Sequence, residues 1–133
     1  CKIAIPICET ETQTGCFCSW RTYAEGTEIT NTLDEACIGV TNPITWNTSK
    51  VPAEKSQNLG ALVRYNKPII SGITDARIDH GVVYAKRPHF PGSWVIRTKN
   101  YHRGDINLYF ASIQENVRRR LLLYLRAHPE AVQ

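Results

Sequence analysis

Residues 105–127 read DINLYFASIQENVRRRLLLYLRA, and the spacing of apolar side chains in this stretch sets the first constraint on the fold. Ile106, Tyr109, Phe110, Ile113, Val117, Leu121, Tyr124 and Leu125 recur at steps of three and four, which places them on one stripe of a helix. One long helix from about Asp105 to Ala127 is predicted, stopped by Pro129, whose ring nitrogen carries no hydrogen to donate. Asp105 stands where an N-cap belongs, its carboxylate placed to accept from the first free backbone N–H groups. Full burial of each large stripe residue contributes about 1.5–3 kcal/mol, so the helix is expected to cover a substantial sheet.

Upstream of the helix, the apolar stretches Pro68–Ile78 and Val82–Lys86 flank Asp79-His80-Gly81 and predict a β-hairpin, with Gly81 supplying a positive φ and His80 a turn position. Ser93–Lys99 reads as a further extended run after a Pro-rich loop. Lys2–Ile7 and Cys16–Tyr23 alternate like short strands, the second closed by Glu25-Gly26. Leu33–Ala36 suggests one helical turn, and Asn42-Pro43 forces a bend between extended Cys37–Val40 and Ile44–Trp46. Residues 47–58 read as an exposed connection rather than a domain boundary. The fold class expected is therefore α/β: short strands with a hairpin and one long C-terminal helix.

A hydrophobic fraction of 42% with 21% charged residues excludes a disordered tail or a fibrous repeat. The longest apolar run, Leu121–Leu125, falls far short of the ~20 residues of a membrane-spanning helix. Net charge is +4, divided as −2 over residues 1–66 and +6 over residues 67–133. The basic residues are scattered without interleaved aromatics, so nucleic acid is not an expected partner. All five cysteines lie within the first 37 residues, and the four histidines show no ligand spacing relative to them, so neither a metal nor an organic cofactor is implied. Cys8 and Cys16 bracket a polar segment that could close as a small disulfide loop. An oxidising, extracytoplasmic location is expected (periplasmic, secreted or lipid-anchored), with at least one cysteine left over and the pairing open.

A chain that opens on Cys1 and contains no Met is expected to be a truncated piece of a longer polypeptide. The helical stripe points the same way, because the strands in these residues are few and short. Residues 1–133 are thus expected to be the C-terminal part of a single domain, with the missing N-terminal half as their partner.

Several motifs then occur in a fixed order: Gln13-Thr14-Gly15-Cys16 leading into Ser19-Trp20-Arg21-Thr22, Asn42-Pro43-Ile44-Thr45-Trp46, Asn58-Leu59-Gly60-Ala61, Tyr101-His102 with Asp105–Phe110, and Glu115-Asn116-Val117. Together they resemble the C-terminal half of a bacterial α/β-hydrolase-like family of unannotated function, over about residues 5–120. The resemblance implies a serine hydrolase scaffold acting on an ester or related acyl bond of a small molecule, with the nucleophile elbow G-x-S-x-G upstream of Cys1. No glycine here forms that pattern, so the chain alone is expected to be inactive. In that family order the triad histidine precedes the last helix, the position of His102. The acid would be Asp105, three residues on, or Glu25 after the second strand.

Gly15-Cys16-Phe17-Cys18-Ser19-Trp20 superficially resembles the papain-type signature, but Ser19 intervenes before Trp20 and the segment alternates like a strand, which argues against a Cys18–His102 pair. The alternative class is a secreted, disulfide-braced binding module in which Trp20, Trp46, Trp94 and Tyr84 line a groove for glycan or peptide.

Overall fold

His80 and Gly81 reverse the chain as expected. In the computed structural model, which describes residues 4–30, 38–64 and 67–132, strand β2 (Arg77–Asp79) pairs antiparallel with β3 (Val82–Ala85), with Ile78 opposite Val83. Both turn residues lie in the left-handed region, at φ 48° for His80 and 73° for Gly81, the geometry of a two-residue type I′ hairpin. A third strand, β1 (Thr22–Ala24), runs parallel to β3 with Tyr23 opposite Tyr84, so the sheet order is β1-β3-β2.

The expected α/β architecture, a portion of an α/β-hydrolase-like fold, is not what these residues form. The sheet has three mixed strands of three, three and four residues, and no parallel β-α-β layer is present among the described residues. The physical reason is punctuation of the apolar runs by Pro and Gly. Between Pro52 and Gly72, pairing is reduced to single bridges, Ala53 with Ala76 and Ala61 with Ile70. Of the segment Pro68–Ile78, only its end joins a strand. Of Lys2–Ile7, the described part contributes one bridge, Ile7 with Phe17. Ser93–Val95 is a 3₁₀ turn rather than an extended run. Ile44 and Thr45 lie in a turn whose amides donate to Asn42 Oδ1, while Trp46 adopts φ 57°. The helical turn expected at Leu33–Ala36, and Cys1 and Cys37, lie outside the described residues.

The long helix is present in two pieces, α1 (Asp105–Leu108) and α2 (Phe110–Ala127). The break falls at Tyr109, which has φ −119° and is wholly buried, its hydroxyl donating to Asp75 O at 3.0 Å. Ala111 N donates to Gly60 O at 3.0 Å, so one of the free amides at the start of α2 finds its acceptor in the neighbouring loop. Asp105 does not cap the helix through its side chain. Tyr109 joins Val40, Ile44, Ala53, Ala76, Ile78 and Val83 in the core, with Ile113 packed against it. Of the stripe only Tyr109 is fully buried: Ile106, Val117, Leu121 and Tyr124 are 62%, 59%, 54% and 43% exposed.

A disulfide joins Cys8 to Cys16, while Cys18 is a free thiol. The closed loop docks on α2 through main-chain acceptors. Arg120 donates to Gln13 O and to Thr10 O, and Asn116 Nδ2 donates to Glu11 O at 3.0 Å. From Leu121 to Ala127 no helical residue is buried.

Candidate active site around His102

Strand β1 builds this site by holding the following chain along its free edge. Ala24 N donates to Lys99 O at 2.8 Å, Tyr23 bridges antiparallel to Asn100, and Tyr101 N donates to Thr22 O at 3.0 Å. Immediately beyond, a 3₁₀ turn carries His102–Gly104 directly into α1, with Gly104 N donating to Tyr101 O. Asn100 Oδ1 accepts from His102 N at 2.9 Å and fixes the start of that turn. One turn of helix separates residues three apart by little, so His102 and Asp105 meet.

The ring nitrogen Nδ1 of His102 lies 2.6 Å from Oδ2 of Asp105. The two side chains differ in environment: that of His102 is 53% exposed and that of Asp105 only 7%. Thr22 N–H also faces the carboxylate, 3.4 Å from Oδ2, while Asp105 Oδ1 has no hydrogen-bond partner among the described residues. Burial raises the Asp105 carboxyl above the ordinary value of 3.8, and the contacts with Thr22 and His102 act in the opposite direction. Tyr109 lies beneath, its hydroxyl raised far above the usual phenol range by burial and by the Asp105 charge.

Nε2 of His102 has no hydrogen-bond partner among the described residues. The residue lines a cleft of about 300 Å3 shared with Ser19, Arg21, Tyr23 and His80. Ser19 is exposed, and its hydroxyl makes no hydrogen bond to His102. His80 Nδ1 stands 3.1 Å from Asp79 Oδ1, and the Arg77 guanidinium holds the Asp79 carboxyl below its ordinary value. A half-exposed imidazole with one nitrogen held by a buried carboxylate and the other free of hydrogen bonds can take a proton from a bound hydroxyl and return it to a leaving group.

Of the three residues singled out from the sequence, His102 and Asp105 are brought together. Glu25 is exposed in the turn after β1, its amide donating to Ala85 O at 2.9 Å, and makes no contact with His102 among the described hydrogen bonds and ion pairs. Thr22, which braces both ends of the His102 turn, was not singled out; its one trace in the sequence is a small polar residue ending a run that alternates with bulky side chains. Of the aromatics of the alternative reading, Trp20 and Trp46 pack edge to face at 5.8 Å with Trp46 buried, Tyr84 stands beside Arg77, and Trp94 lies exposed. No group of three or more His, Cys, Asp or Glu side chains suited to a metal ion occurs among the described residues. No helix among them is long and apolar enough to cross a membrane.

Comparison with protein-family models, with curated proteins and with solved structures finds no match to this chain.

Proposed function

We propose that this chain supplies the histidine and acid of a hydrolase acting on an ester or related acyl bond of a small molecule. The observation that carries the reading is the 2.6 Å contact between His102 Nδ1 and Asp105 Oδ2, made by a buried carboxylate to a half-exposed imidazole that lines a cleft. In this role Asp105 holds the proton on Nδ1 and stabilises the imidazolium, and Nε2 acts as base toward a hydroxyl nucleophile and then as acid toward the leaving group. The low dielectric around Asp105 strengthens that stabilisation relative to water.

The nucleophile in this reading comes from an upstream half of the same domain. Two features support such a partner: no hydroxyl of the described residues hydrogen-bonds to His102, and Val117, Leu121 and Tyr124 of the α2 stripe stand exposed. The ordered motifs, whose family resemblance implies a serine nucleophile upstream, add to it. The Cys8–Cys16 disulfide supports an oxidising, extracytoplasmic compartment.

The test is hydrolysis of p-nitrophenyl butyrate, with fluorophosphonate labelling, by the polypeptide that carries these residues together with the sequence encoded upstream of Cys1. His102→Gln is expected to lower kcat by about 10³–10⁴-fold, and Asp105→Asn by a comparable factor. Activity within tenfold of the parent in both variants would sink the reading, and a greater loss in Glu25→Gln than in Asp105→Asn would move the acid role to Glu25.

A further inference from the structure

An apolar groove lies beside the His102 turn, lined by residues none of which lines the His102 cleft. Val63, Phe90 and Ile96 are common walls of two adjoining cavities of about 520 and 670 Å3. Both volumes fall in the range of small-molecule sites, roughly 300–1,000 Å3. Tyr101, Arg103 and Leu108, close to His102 in the chain, also line the first, and Ile70 and Lys67 the second. Most of the lining is aliphatic or aromatic.

Its charge is one-sided. Arg103 lines the first cavity and Arg64 and Lys67 the second, whereas no Asp or Glu among the described residues lines either. None of these three cations forms an ion pair among the described residues. An occupant complementary to such a surface is an amphiphile with an unbranched apolar chain and an anionic end. Hydrolysis of an acyl ester releases a molecule of that kind, a carboxylate on an alkyl chain.

We propose that this groove binds the alkyl chain of a monomeric fatty acyl carboxylate, with the carboxylate end at Arg103 and the chain running between Val63, Phe90 and Ile96. The inference deepens the functional reading above and takes from it only the acyl class of the substrate. Burial of methylenes against these walls supplies affinity, and the guanidinium supplies orientation.

The test is titration of the 133-residue chain with hexanoate, octanoate and decanoate below their aggregation limits, followed by calorimetry and by amide chemical shifts of residues 61–64 and 90–96. Saturable one-to-one binding is expected, tightening about three- to fourfold for each added methylene. Decanol should bind about tenfold more weakly than decanoate, and Arg103→Gln should remove that difference. Ile96→Asp and Val63→Asp each place a carboxylate in the groove and should abolish binding; two sites are used so that one misfolded variant does not decide the result. Affinity independent of chain length, equal binding of decanol and decanoate, unchanged binding in both Asp variants, or binding only to anionic vesicles would overturn the proposal. Such a failure leaves the His102–Asp105 reading standing, since neither residue lines the groove.

Discussion

His102 reaches across a single turn to Asp105, and the 2.6 Å contact joins a half-exposed imidazole to a carboxylate that is almost wholly enclosed. Removing the charge at Asp105 therefore changes which ring nitrogen holds the proton. With Asp105 present, the proton belongs on Nδ1. In Asp105→Asn the amide can present its NH₂ group to that nitrogen, and the ring is expected to shift toward the Nε2–H form. Ring 15N chemical shifts of His102 measure this directly, and identical shifts in both proteins would refute it.

The same carboxyl makes a signed contribution to stability with pH. Its folded-state pKa is raised by burial, so the folded chain retains a proton that the unfolded chain has released above the ordinary value of 3.8. Stability from this group is fully present below that value and is lost as pH rises through the raised folded value. Asp105→Asn should therefore show less loss of stability than the parent as pH rises from about 4 toward neutrality. Parallel urea-melt profiles in the two proteins across that interval would contradict the assignment.

Tyr109 should be the most sensitive single position in the helix region. Tyr109→Ala removes a fully buried ring from the core and should cost about 3–5 kcal/mol, while Tyr109→Phe loses only the hydrogen bond to Asp75 O and should cost about 1 kcal/mol. Equal costs in chemical denaturation would mean that the ring does not fill the core as described.

At the hairpin, Gly81 has φ 73°, and a Cβ there would meet Ile38 Cδ1 at 3.0 Å. Gly81→Ala should destabilise by about 1–2 kcal/mol. His80→Asn should be neutral or stabilising, since Asn-Gly is the favoured pair for this turn. Thermal unfolding of the two variants, expected to move in different directions, is the check.

Opening the Cys8–Cys16 bridge should cost about 2–3 kcal/mol on loop-closure grounds. It should also free the acceptors that Arg120 and Asn116 use at Thr10, Glu11 and Gln13. Hydrogen exchange is then expected to quicken in α2 near residues 116–120 on reduction. Unchanged exchange there would show that the loop keeps its place without the bridge.

Features set by neighbours in the chain were legible in the sequence. Asp79-His80-Gly81 carries its own turn chemistry, Cys8 and Cys16 are close enough to close a loop, and His102 and Asp105 have the spacing of one helical turn. The fold class was not legible. Runs such as Pro68–Ile78 have the composition of strands, but Pro and Gly leave them single bridges, and composition does not report where pairing stops. Asp105 was read as a cap because it opens the helix, and what holds its carboxylate instead is His102 at 2.6 Å, with Thr22 N, 83 residues earlier, at 3.4 Å. The break at Tyr109 is likewise invisible to periodicity, because the side chain keeps its stripe position while its backbone leaves the helix. The groove was missed for a related reason: residues 61–64, 90–96 and 101–108 form it only after folding.

Past Arg120 the last turns of α2 hold no buried residue, and among the described contacts their order rests on helix hydrogen bonds and the stacking of Tyr124 on His128 at 4.2 Å. A segment of seven residues is well below the ~12–15 that hold helix unaided in water. Residues 121–127 should accordingly fray on warming well before the body melts, so a spectroscopic label at Ala127 would register a transition separate from that of the sheet.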